Sequence, residues 1–407
     1  MTGETPAVHE ALAVYAPETT ETERVPEGYK PSEVGVIPED WEVRKLGAFA
    51  NILRGASPRP IDSPIWFNEK SNTGWLRISD ATSADKYLTK TSHNLSAAGI
   101  SNSRFVESGN LVMSICATVG RPVLTRKNVC IHDGFVVFND LRVDKEYLYY
   151  VLSNIEKDWS KHGQTGSQMN LNTGLIGSTP IPLPPLHEQR AIAAALSDVD
   201  TLIFALDNLI AKKRAVKTAA MQQLLTGKQR LPGFSGEWEV KRLGDIAPLQ
   251  RGFDLPNSML RKGDYPVVYS NGILNHHAHF MAEGPGVVTG RSGTIGKVSY
   301  VEEDYWPHNT ALWVTDFKGN SPKFIYHLYK NVGLDRFGTG SGVPTLNRND
   351  VHAFSVSVPS SEEQTTIAAV LSDMDAEIEA LEARREKTRQ VKRGMMQELL
   401  TGRTRLV

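Results

Sequence analysis

From Ile192 the apolar residues recur in steps of four and three, at Ile192, Leu196, Val199, Ile203, Leu206 and Ile210. The same rhythm returns at Ile367, Leu371, Met374, Ile378 and Leu381. Steps of four and three mark the seam of a coiled-coil helix, since 3.5 residues per turn keep one stripe facing a partner. Ser197-Asp198 and Ser372-Asp373 fall inside the rhythm and read as helical surface, not as caps. Thr-Gly at Gly227 and Gly402 suits a left-handed C-terminal cap. Glu188 to Thr226 spans 39 residues, a helix of ~58 Å at ~1.5 Å per residue. Past Ile210 two continuations are open. Either the seam turns polar, through Lys213 and Lys217 in one helix and Arg385, Thr388 and Lys392 in the other, or packing rotates to Val216, Ala220 and Leu224 with Val391, Met395 and Leu399 opposite. Both predict two matched helices packed antiparallel, holding two globular heads a fixed distance apart.

Outside the helices the pattern changes. Short β-branched runs broken by Gly, Asn and Pro, at Gly109 to Val123, Val129 to Phe138, Val287 to Val301 and Ala311 to Val314, predict strand-rich heads. The helical stretch from Glu188 to Leu231 repeats from Glu363 to Leu406 at a constant offset of 175 (363 − 188), without a gap. Asp40 to Gly47 returns as Glu237 to Gly244. A period this long excludes a solenoid, whose repeats run ~20–50 residues. The expected fold is α+β: two strand-rich heads joined by two long helices in an antiparallel coiled coil, with pseudo-twofold internal repetition. The expected divisions are a leader at 1–28, a first head at 29–186, a first helical region at 187–231, a second head at 232–361 and a second helical region at 362–407.

Composition adds constraints. A hydrophobic content of 40% supports real cores. Basic and acidic residues balance at 45 and 46, whereas nucleic-acid binders usually carry a basic excess; DNA binding must then rest on local clusters. Cys116 and Cys130 fit no metal-ligand spacing and read as buried thiols of a reducing cytoplasm. No run of ~18 apolar residues predicts a membrane span. The leader, acidic and rich in Thr and Pro, lacks the blocks of a signal peptide and is expected to be mobile.

The heads share three local patterns. Ala117 to Arg121 answers Gly293 to Lys297, His132-Asp133 answers His308-Asn309, and Gly166-Ser167 before Leu171-Asn172 answers Gly340-Ser341 before Leu346-Asn347. Elsewhere the heads diverge, as one scaffold reading two targets would. In the first head the candidate DNA-contacting residues are Arg54, Arg77, Ser79 and Arg121, the polar run with Gln164, Ser167, Gln168 and Asn170, and Asn172. The second offers Arg251, Tyr269, Ser270 and Asn271, then Arg291, Ser292, Thr294 and Lys297, and finally Ser341, Asn347 and Arg348. Arg, Gln and Asn make bidentate contacts to base edges, and Ser, Thr and backbone amides of Gly-rich loops suit phosphate oxygens. Any surface loop also carries such residues.

Other chemistries fare worse. Gly290 to Lys297 has five residues between its glycines where a phosphate-binding loop has four, and Val298 follows the lysine; a tight strand–turn–strand fits better. His276, His277 and His279 lack a carboxylate or cysteine to complete a metal site and read as loop histidines. No nucleophile elbow supports a hydrolase, and no cofactor or metal is expected. A DNA-modifying enzyme would need a methyltransferase or nuclease motif, and the single Pro-Pro, Pro184-Pro185, sits in neither. A coiled-coil adaptor binding only proteins would leave the two diverged heads unexplained.

The doubled EQxxIAxxLSxxD segment running into Leu-Leu-Thr-Gly resembles the two repeated regions of the specificity subunit of type I restriction–modification systems. Tyr29 to Gly47 resembles the entry to that family's first target-recognition domain, and Arg291 to Lys297 a framework turn of the second. The first head departs from that turn, with Ser114-Ile115-Cys116-Ala117 before Thr118. The resemblance implies a non-catalytic subunit whose heads each read half of a bipartite site in double-stranded DNA. The helices would set the spacer. Two adenine-N6 methyltransferase subunits would dock on the helices, through Ile192, Leu196, Val199, Ile203 and Leu206 with their counterparts Ile367, Leu371, Met374, Ile378 and Leu381, and on the heads. Translocating endonuclease subunits would complete the complex.

Overall fold

The structure, a computed structural model, describes residues 25–159, 171–339 and 342–406. The chain forms two compact units, one from Met1–Ile203 with Lys387–Val407 and the other from Phe204–Glu386. Two helices of 39 residues, Leu186–Leu224 and Ser361–Leu399, each contribute to both. Gly227 and Gly402 follow them with φ of 70° and 72°, the left-handed conformation that ends a helix without steric cost.

In the first unit the main sheet runs in the order Asn51–Arg54, Phe135–Asn139, Leu111–Ser114, Pro122–Thr125, Tyr87–Leu88. Its central strands are apolar at nearly every position because both faces are covered. Side chains alternate between the faces of a strand. Leu111, Met113, Leu124, Val136 and Phe138 therefore meet the helix Lys145–Asn154, while Val112, Val123, Phe135 and Val137 meet Leu76, Val129 and Ile131 of a second sheet. That sheet runs His93–Asn94, Gly74–Leu76, Val129–Ile131, Arg104–Val106.

The second unit repeats this plan. Its main sheet runs Leu249–Arg251, Ala311–Val314, Gly286–Gly290, Val298–Val301. A second sheet runs Gly272–His277, Tyr265–Tyr269, Trp306–Pro307. The helix Pro322–Val332 stands where Lys145–Asn154 stands in the first. Neither helix was among the expected elements. Each is short and capped, by Asp144 accepting from the Glu146 and Tyr147 amides and by Ser321 accepting from the Phe324 amide. Gly286–Gly290 and Val298–Val301 form the expected strand–turn–strand. Three expectations need correction. His276 and His277 lie on a strand, not in a loop, and His277 is buried with its ring nitrogens against the Met259 and His279 carbonyls. Cys130 is buried, but Cys116 is partly exposed because it sits in a turn at the sheet end.

The third correction concerns the apolar stripe. Ile192 and Leu196 are fully buried in the first unit's core with Trp41, Leu46, Leu399 and Leu400. Ile367 and Leu371 are buried likewise with Leu224 and Leu225 in the second. These four residues anchor each head to the helices and offer no free docking face, because the heads themselves cover the stripe. Val199, Ile203, Met374 and Leu381 are half-buried, and Leu206 and Ile378 buried.

Past the apolar stretch the seam turns polar. In the second unit Asp207 pairs with Arg385 at 3.0 Å, Lys213 with Glu377 at 2.6 Å, and Lys217 with Asp375. Rising numbers on one helix meet falling numbers on the other, so the helices are antiparallel. In the first unit Lys392 pairs with Asp200 at 2.5 Å. Of the alternative positions, Val216 and Val391 stay 46% and 50% exposed, whereas Ala220 and Leu224 pack into the second unit's core and Met395 and Leu399 into the first's, so the polar stretch gives way to apolar packing at each helix end.

Candidate nucleic-acid interface

Two buried carboxylates, Glu188 and Glu363, open the long helices and fix each head's base. Glu188 accepts from the Trp41 indole at 2.9 Å and from Arg405 at 2.7 and 2.8 Å. Glu363 accepts from Trp238 at 3.2 Å and from Arg230 at 2.5 and 2.6 Å. Trp41 and Trp238 come from the repeated entry segment, so the doubled motif encodes this clamp.

Several candidate side chains stand at strand ends, Arg54 and Arg77 at the ends of Asn51–Arg54 and Gly74–Leu76, and Arg251 and Tyr269 at the ends of Leu249–Arg251 and Tyr265–Tyr269. Register fixes the equivalences. Arg54 pairs with Val136, and Arg251 with Leu312. Phe135 pairs with Ser114, and Ala311 with Gly290. Arg54 therefore matches Arg251, His132 matches His308, and Ile115, not Ser114, matches Arg291. Backbone bonds agree: the Ile115 amide donates to Gly134 O and the Leu171 amide to Ile115 O, while the Arg291 amide donates to Thr310 O and the Leu346 amide to Arg291 O. Ile115 is buried, so the first head has no counterpart of the Arg291 guanidinium.

A glycine follows each arginine for a steric reason. A Cβ on Gly55 would lie 2.0 Å from the His132 carbonyl oxygen, and one on Gly252 2.3 Å from that of His308. Both imidazoles then cap a turn, Nδ1 of His132 accepting from the Gly134 amide at 2.9 Å and Nδ1 of His308 from the Thr310 amide at 3.3 Å. Burial pushes both below the usual histidine range, although Asp133 pulls His132 and Leu255 and Asp254 pull His308 the other way.

Around this frame the second head assembles most of its candidates. Tyr269 stacks on His308, ring centres 4.2 Å apart. The Ser270 amide donates to Thr310 Oγ1 at 3.3 Å, and Lys297 Nζ donates to the Asn271 carbonyl. Arg291 Nη1 reaches the Asn309 carbonyl at 3.4 Å, and the Ser292 amide donates to Thr310 O at 3.2 Å. Thr294 is exposed in the same turn. Asn347 caps the helix Arg348–Ala353 by accepting from the Asn349 amide, with Arg348 exposed beside it.

In the first head Arg54 Nε donates to the Asp133 carbonyl at 2.7 Å, and Arg104 Nε to the Arg54 carbonyl. Arg77 is exposed at the end of the strand Gly74–Leu76, where Tyr269 stands in the other head, and its charge reaches His132. Ser79 is exposed on the following helix, and Asn172 caps the helix Thr173–Ser178. Arg121 does not join them. It turns inward to Glu156 at 3.4 Å and to the Ala84 carbonyl at 3.0 Å. Gln164, Ser167, Gln168, Asn170 and Ser341 lie outside the described residues.

The model of the type I restriction modification DNA specificity domain matches residues 38–215 and again 235–389. The chain belongs to that family. Its members in the curated set include a putative type I restriction enzyme specificity subunit of Methanocaldococcus jannaschii, 24% identical over 93% of this chain and 97% of that protein. A type I specificity subunit of Escherichia coli is 21% identical over 81% of this chain and 86% of its own. The crystal structure of the type I S subunit from M. genitalium superposes with a TM-score of 0.62 at 16% identity, over 88% of this chain and 96% of that one. A specificity subunit is a non-catalytic DNA-recognition chain, and each matched segment takes in strands of one unit and much of the long helix that follows them.

Sequence reasoning did not count Ser57, Arg59, Arg104, Asp133, Asp254, Asn309 and Thr310 of this specificity subunit among the site candidates, although it paired His132-Asp133 with His308-Asn309. The signal was present for Asp133 and Asn309, which follow His132 and His308 in a pattern the two heads share, and for Asp254 and Ser57, each three residues after the arginine of an Arg-Gly at matching places.

Proposed function

We propose that this chain is the DNA-reading subunit of a type I restriction–modification complex, each head reading one half of a bipartite duplex target. The observation that carries the reading is the repeated frame of arginine, glycine and turn-capping histidine, which presents Arg77 in one head and Tyr269 in the other. One scaffold with two reading ends suits two dissimilar half-sites. Base edges in the major groove are read by a few such side chains, and phosphate contacts fix their register. Arg54, Arg77 and Ser79 are the proposed readers of the first half-site. Arg251, Tyr269, Asn271, Arg291 and Lys297 are those of the second, with Asn172, Asn347 and Arg348 at helix N-termini nearby. Arg121, engaged by Glu156, is set aside.

The antiparallel helices would set the gap between half-sites and, with the heads, seat two methyltransferase subunits; translocating endonuclease subunits would join for cleavage. Half-sites on one face of a duplex lie ~34 Å apart per helical turn, within the ~58 Å that a 39-residue helix spans. Among the described residues no helix is long and apolar enough to cross a membrane. The test is selection from a random duplex pool with the chain co-purified with its methyltransferase, at two salt concentrations. A two-part motif with a fixed gap is expected; salt-sensitive binding without a motif would overturn the reading.

A further inference from the structure

Each head places a carboxylate among its exposed basic groups, and the two heads supply it from opposite sides. The residue three after the frame arginine is Ser57 in the first head and Asp254 in the second, and the residue after the frame histidine is Asp133 and Asn309 respectively. In both heads these two positions bond to each other across two turns. Ser57 Oγ donates to Asp133 Oδ1 at 2.9 Å, and Asn309 Nδ2 donates to Asp254 Oδ1. The pair is Ser–Asp in one head and Asp–Asn in the other, one carboxylate and one neutral partner each time.

Both carboxylates stay accessible, Asp133 with 43% and Asp254 with 65% of the side chain exposed. Arg59 approaches Asp133 at 3.3 Å and Arg251 approaches Asp254 at 2.7 Å. Burial raises the Asp133 carboxyl, but the Ser57 hydroxyl and the charges of His132 and Arg59 outweigh it, so the group stays ionised at neutral pH. A fixed negative charge on a surface that meets phosphates costs affinity for any DNA. That cost makes sense where the carboxylate accepts from an exocyclic amino group, the cytosine N4 or adenine N6 donor of the major groove.

Resting on the reading of the heads as DNA readers, we propose that Asp133 and Asp254 are specificity-determining residues. Each accepts a hydrogen bond from a base amino group in its own half-site, beside the donors of Arg54 or Arg251. Exchange of the carboxylate between the two turns moves the acceptor relative to the arginine. The same frame thereby reads a different base position in each head.

The experiment is the same random-duplex selection with wild type, Asp133→Asn and Asp254→Asn, each co-purified with the methyltransferase, with salt-dependent binding to unrelated duplex as a second readout. Asp254→Asn is expected to relax preference at one base pair of one half-site, on the order of tenfold. The other half-site should be unchanged, and binding to unrelated duplex equal or tighter. Asp133→Asn should do the same in the other half-site. A wild-type motif that both variants retain would overturn the proposal, as would a uniform weakening across all positions, which marks loss of loop geometry. Absence of any motif in wild type would instead overturn the reading of the heads as DNA readers.

Discussion

Gly55 and Gly252 show how little room the frame leaves at the reading ends. A methyl group at either would overlap a histidine carbonyl, and the arginine one residue earlier would move with it. Gly252→Ala is expected to destabilise the second head by about 1–3 kcal/mol and to weaken selection in one half-site alone; a motif degraded in both halves would contradict this. Arg405 poses a different residue-scale case. Its loss strands the fully buried Glu188, which among the described residues keeps the Trp41 indole as its side-chain partner. Arg405→Ala should cost about 3 kcal/mol by denaturant unfolding, at the low end for a broken buried pair, and Glu188→Gln in the same chain should recover part of it. The hydrogen bond from Arg405 also holds Asp40 below its ordinary value of 3.8. A lowered carboxylate stabilises above that ordinary value and stops doing so as pH falls through its folded value, so Arg405→Ala should flatten the acid limb of the stability curve.

At the scale of elements, the junction of each head with its long helix is built on one plan, in which a tyrosine of the first is replaced by a histidine in the second. On the helix Lys145–Asn154, Tyr150 donates to Asp200 at 2.7 Å; on Pro322–Val332 the matching residue is His327, 3.3 Å from Ser372. Burial, with the nearby positive charges of Lys217, Lys330 and Lys323, lowers His327 from 6.5 to about 4 against the pull of Asp375. The unfolded chain binds this proton below pH 6.5 and the folded chain does not until about pH 4, so stability is lost as pH drops through that window and rises with pH across it. The loss should approach ~3 kcal/mol at ~1.4 kcal/mol per pH unit. His327→Tyr should remove that slope, and a slope that persists would assign it to another group. This substitution also marks the limit of what the sequence discloses. The heptad stripe and the doubled helix motif were legible because their periodicity is local and repeated. That the heads cover Ile192, Leu196, Ile367 and Leu371 was not, because a seam and a core stripe share one pattern. The reading ends were half legible. Arginines and asparagines in loops stand out, but Arg121 turning inward and the Ser57–Asp133 and Asp254–Asn309 pairs depend on strand register, which spacing alone does not encode.

For the whole molecule, a ruler predicts that length added to both helices changes the gap and nothing else. Seven residues inserted after Ala205 and after Ala380, equivalent positions on exposed faces, keep the heptad in phase. They add ~10 Å of helix, or about three base pairs of duplex at ~3.4 Å each. The selected motif should keep both half-sites and gain a longer gap; an unchanged gap would remove the helices from that role. The division of the chain also imposes an order on synthesis. The second unit is one unbroken stretch, Phe204–Glu386, but the first borrows Lys387–Val407, including the core residues Leu399 and Leu400 and the clamp residue Arg405. At ~5–20 residues per second, the head made first waits on the order of ten seconds or more for the segment that closes it. Nascent chains stalled once residue 386 has left the ribosome should resist protease from Phe204 onward and be cut in the head before it.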